Sequence, residues 1–62
     1  MQSVSEWLLS LGLDQYATLL ADNDVDFDAL RLLNEKDLQE LGISLGHRKK
    51  LLKAIAELNG AE

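Results

Sequence analysis

The sequence predicts an all-α fold: a compact five-helix bundle in which the C-terminal helix is the longest. Apolar residues recur three and four apart along most of the chain, and the breaks between these stretches carry helix-cap residues. No run alternates with the period of a strand, and β-branched residues are few. Pro is absent, so Ser, Asp, Asn and Gly supply all the punctuation.

Ser3 and Glu6 form an S-x-x-E capping box before Val4, Trp7, Leu8 and Leu11, and Gly12-Leu13 suits a left-handed stop with an apolar contact behind it. That is the first helix. Asp14 is the expected cap of a second, with Tyr16, Leu19 and Leu20 on one face and an end near Asn23. Asp26 caps a short third that places Phe27 and Leu30 together. Asn34 caps a fourth, where Glu35 and Asp37 suit the positive end of the helix dipole, Leu38 and Leu41 point inward and Gly42 ends the run. Ile43 anchors the link. Ser44 or Leu45 opens the fifth, whose stripe of Leu51, Leu52, Ile55 and Leu58 runs to Asn59-Gly60.

With 62 residues the chain is expected to be one domain over 1–62, too small for a deep substrate cleft and near the size at which an unaided core is marginal. Its 47% hydrophobic and 27% charged content is that of a globular domain. Without Cys there is neither a disulfide nor a thiolate metal site, which agrees with a reducing compartment. No apolar run approaches the roughly 20 residues of a membrane span, and no basic flank leads into an apolar start. The expected setting is cytoplasmic.

Charge is sorted along the chain. Residues 1–44 hold nine acids and two bases, a net −7, and residues 45–62 hold four bases and two acids, a net +2, giving −5 in all. Asp22, Asp24, Asp26 and Asp28 alternate through one segment, while His47, Arg48, Lys49, Lys50 and Lys53 gather in another. Two opposite patches on so small a body suggest self-complementarity. Plainer readings stand beside that one. Asp14 and Asp26 are good caps, the lysines suit the wet face of an amphipathic helix, and Trp7 and Tyr16 recur at core spacing. His47 is a rim or structural residue before it is a switch.

Sharper chemistries find little support. A calcium loop starting at Asp22 would have Phe27 where Gly is needed and Leu33 where Glu is needed. A single His and no Cys argue against zinc, and no Gly-rich phosphate loop follows a strand. Nothing places a hydroxyl and an orienting acid around His47, so no catalytic residues and no cofactor are expected and the chain is not read as an enzyme.

The ordered set Val4-x-x-Trp7-Leu8, Leu11-Gly12-Leu13-x-x-Tyr16, Asn23-Asp24-Val25-Asp26, Leu30-x-x-Leu33, Asp37-Leu38-x-x-Leu41-Gly42-Ile43, Gly46-His47-Arg48-x-x-Leu51-Leu52 and Ile55-x-x-Leu58 resembles a sterile alpha motif (SAM) domain along nearly the whole chain. Leu20 and Phe27 depart from it, standing where many members have an aromatic and a small residue respectively. The resemblance implies five helices and an interaction module appended to a larger protein. It also implies head-to-tail association between a middle surface and an end surface. Carried onto this sequence, the middle surface is Asp22, Asp24, Asp26, Asp28, Glu35 and Asp37. The end surface is Leu45, Gly46, His47, Arg48, Lys49, Lys50 and Lys53. These are the two charge clusters already found. The implied partner is another copy of the chain or a different SAM domain. Some members bind RNA hairpins through a basic surface, but an overall −5 and the lack of an exposed aromatic platform disfavour nucleic acid here. Four bases are also few for a lipid-binding patch.

Overall fold

A computed structural model describes residues 3–60; residues 1, 2, 61 and 62 of the expected 1–62 unit lie outside that range. The helices are α1 (Val4–Ser10), α2 (Ala17–Asp22), α3 (Phe27–Leu30), α4 (Glu35–Glu40) and α5 (Leu45–Leu58), with a 3₁₀ turn at Asp14–Tyr16 between α1 and α2. The fold is all-α, as the sequence predicts, and α5 is the longest helix.

Side-chain caps explain where α1, α3 and α4 begin. Ser3 and Glu6 exchange both bonds of the capping box at α1, and Asn34 and Asp37 do the same at α4. Asp26 caps α3 by accepting from the Ala29 N–H at 2.9 Å. Asp14 is not a cap, contrary to expectation. Leu13 occupies the position before the turn with no side-chain cap bond, its carbonyl accepts from the Tyr16 N–H at 3.1 Å, and α2 starts only at Ala17. Leu13 is 1% exposed, and holding it in the core leaves too little chain between the stop and the turn for an extended capping residue. Ser44 precedes α5 but its side chain caps no backbone N–H.

Three helices end in one way. After α1, Leu13 N–H bonds Leu8 carbonyl and Gly12 N–H bonds Leu9 carbonyl; after α4, Ile43 and Gly42 bond Leu38 and Gln39 likewise. After α2, Val25 and Asp24 bond Leu20 and Ala21 in the same pattern. This is the Schellman arrangement, which needs a left-handed residue: Gly12 at φ 73°, Gly42 at φ 88° and Asp24 at φ 59°. Each stop also makes an apolar pair across its turn: Leu8 with Leu13, Leu20 with Val25, and Leu38 with Ile43. Five of these six are fully covered core residues, each stabilising the fold by about 1.5–3 kcal/mol. Helix termination and core formation are therefore the same event.

Leu30, Leu51, Ala54, Ile55 and Trp7 complete the buried core. α5 packs on α4, while α1 packs on α2 and the 3₁₀ turn. Trp7 meets Phe27 edge to face at 6.3 Å, joining α1 to α3, and Asn59 Nδ2 donates to Arg31 carbonyl at 3.1 Å, joining the end of α5 to α3. Among the described residues no helix is long and apolar enough to cross a membrane.

Candidate protein-interaction surfaces

The six acids of the middle surface have different duties. Asp22, Asp24 and Asp28 are exposed, and among the described residues their side chains make no hydrogen bond or ion pair. Asp26 spends an oxygen on the α3 cap, and Asp37 spends one on Asn34 N–H at 3.2 Å. Glu35 faces the opposite sign inside its own molecule: its Oε2 lies 2.6 Å from Arg48 Nε.

Beside this face lies a shallow depression of about 400 Å³, lined by Asn23, Val25, Leu33, Asp37, Glu40 and Leu41. Val25 and Leu33 are half-buried apolar residues, so a hydrophobic floor meets an acidic rim. Of the predicted acids only Asp37 reaches it. Glu40, which the sequence presents as the unremarkable last residue of α4, also lines the depression. The sequence signal is its helical spacing: Glu40 is three residues from Asp37 and so shares its face.

The basic cluster also divides. Leu45 is 56% exposed at the first position of α5, and exposed Lys49 stands one turn further on the same side. With no side-chain cap, the first turn of α5 presents its N–H groups and the positive end of a 14-residue helix next to that lysine. Gly46 is exposed, and a Cβ there would meet nothing within 4 Å. No internal crowding explains its being Gly. Lys50 and Lys53 line a second depression of about 250 Å³ with Leu11, Ala54 and Glu57.

His47 and Arg48 turn inward. His47 is half-buried, with its Nδ1 2.5 Å from Tyr16 Oη and 3.1 Å from Ser44 Oγ, and its ring stands edge to face on Tyr16 at 5.4 Å. Arg48 donates through Nε to Glu35 and through Nη1 to Ile43 carbonyl at 2.8 Å. No three His, Asp or Glu side chains among the described residues converge to hold a metal ion.

The family model for the SAM domain (sterile alpha motif) matches residues 1–59. The chain is a SAM domain. It is 48% identical to ankyrin repeat and SAM domain-containing protein 1A from Homo sapiens, over 92% of this chain and 5% of that protein. It is 43% identical to Caskin-1 from Rattus norvegicus, over 97% of this chain and 4% of that protein. It is 47% identical to RNA-binding protein vts1 from Schizosaccharomyces pombe, over 92% of this chain and 8% of that protein. The SAM domain thus spans under a tenth of each of these relatives. The family is in general one of protein–protein interaction modules, not of enzymes.

Proposed function

We propose that this SAM domain self-associates head to tail, the start of α5 in one copy docking on the acid-rimmed depression of the next. The carrying observation is a matched pair of features. Leu45 projects beside Lys49 on one surface, and a depression floored by Val25, Leu33 and Leu41 is edged by Asp37 and Glu40 on the other. Leu45 supplies the apolar centre, and Lys49 with the α5 dipole meets the carboxylates. Charge sets orientation and association rate more than affinity. The two surfaces differ, so the contact is heterologous and propagates as an open helix unless its rotation closes a ring. The role is to raise the local concentration of a larger protein to which this 1–62 unit is joined, in an intracellular, cytoplasmic setting. Binding of a different SAM domain through one surface is the variant of this reading.

Blocking each surface separately tests it. Lys49→Glu and Glu40→Lys each abolish assembly, and an equimolar mixture forms a 1:1 dimer through the two untouched surfaces. A mixture that stays monomeric contradicts self-docking at these surfaces. If a different SAM domain binds while the mixture does not, the variant stands.

RNA binding is the second reading, favoured by the 47% identity to a protein named as RNA-binding and by Lys50 and Lys53 of the second depression, which form no ion pair among the described residues. It expects salt-sensitive retardation of a hairpin, lost in Lys53→Glu and kept in Glu40→Lys. The acidic balance of −5 ranks it below self-docking.

A further inference from the structure

We infer that Arg48 is a positioning residue that works within one copy, bracing the start of α5 against α4, and is not a contact residue of the basic surface. The inference rests on the docking reading for its consequence, and on geometry for its substance. The Arg48 side chain is 15% exposed, while its neighbour Lys49 is open to solvent. One guanidinium reaches two anchors at once: Glu35 Oε2 at 2.6 Å, in the first turn of α4, and the carbonyl of Ile43 at 2.8 Å, in the link before α5. A rigid planar fork does this, and a lysine ammonium does not hold the same two directions.

The two ends of the brace belong to different docking surfaces. α4 and its C-cap carry Asp37, Glu40 and Leu41 of the acidic depression, and the first turns of α5 carry Leu45 and Lys49. Ile43 is 1% exposed, so the link that Arg48 grips is itself locked to the core. Arg48 therefore fixes the angle between the surface that receives and the surface that inserts. In a chain of copies that angle repeats at every step and sets the twist of the assembly. Glu35 and Arg48 neutralise each other in cis. The mating charges that remain are Lys49 on one side and Glu40 and Asp37 on the other.

The test uses a matched pair of single-surface copies, one carrying Glu40→Lys and donating its basic surface, the other carrying Lys49→Glu and donating its acidic surface. Adding Arg48→Gln to the first copy changes their Kd by less than about threefold, whereas adding Leu45→Ala to it weakens binding by at least about tenfold. In the unblocked chain, Arg48→Gln and Arg48→Lys still assemble, but the filament twist seen by electron microscopy changes. An unchanged twist overturns the positioning role. So does an affinity loss from Arg48→Gln equal to that of Leu45→Ala. Tighter binding when Arg48→Glu on the first copy meets Glu35→Arg on the second, compared with either exchange alone, likewise overturns it, because that rescue needs a contact between copies.

If the parent pair does not bind at all, the docking reading fails and the brace is judged alone. Thermal unfolding at a monomeric concentration then compares Glu35→Gln, Arg48→Gln and both together. The brace gives single losses of about 2–5 °C that do not add in the double variant. Additive losses overturn it.

Discussion

Asp24 holds after α2 the left-handed backbone position that Gly42 holds after α4, and the two residues close the same pair of hydrogen bonds. Asp is one of the few residues other than Gly that is enriched in this region. Asp24 thus has a conformational role in ending α2. Asp24→Gly is expected to stabilise the monomer by about 0.5–1 kcal/mol, and Asp24→Val to destabilise it by about 1–2 kcal/mol. Urea denaturation of the two variants checks the sign. Equal stability would mean that the left-handed stop is not maintained in solution.

Gly46 carries a second expectation. A helical Gly costs roughly 0.5–1 kcal/mol against Ala, and no neighbour forbids a Cβ at this position. Gly46→Ala should therefore raise the melting temperature while weakening assembly, the two readouts moving in opposite directions. A stabilised variant that assembles as well as the parent would show that no backbone of a second copy approaches here.

The Tyr16–His47 bond joins residues 31 positions apart and ties the 3₁₀ turn to the first turn of α5. Tyr16→Phe keeps the edge-to-face packing and deletes the hydroxyl, so the loss should be about 0.5–1.5 kcal/mol. A double-mutant cycle with His47→Ala measures the coupling. A coupling of zero would leave the hydroxyl bonded to water alone.

Leu51 is fully covered on the inner face of α5. Leu51→Ala should cost about 2–5 kcal/mol, enough to unfold much of so small a domain, and circular dichroism should show lost helicity instead of a folded monomer. Retained helicity with an unchanged unfolding midpoint would place Leu51 outside the core.

The helices were legible because their signals are local. Ser3 with Glu6, Asn34 and Asp26 act on N–H groups within a turn, and Gly12 and Gly42 each decide a single φ angle. Asp14 has the chemistry of a cap, but the core demand on Leu13 directly before it overrides that local preference. The stop at Asp24 was hidden because Asp, unlike Gly, has many other reasons to occur.

The candidate site was legible as charge and illegible as pairing. Lys49 and Leu45 follow from position on α5. That Arg48 turns to Glu35 and His47 to Tyr16 depends on contacts across 13 and 31 residues, which no spacing rule reaches. The depression at Glu40 is hidden for a similar reason, since Val25 and Leu33 are brought beside it from other parts of the chain.

The central claim is that copies of this chain dock start of α5 to acidic depression. Multi-angle light scattering of the unmodified chain across concentration and ionic strength tests it most directly. The expected mass climbs past dimer with concentration at low salt and falls as salt screens Lys49 from the carboxylates. A constant monomer mass at high concentration and low salt would contradict it.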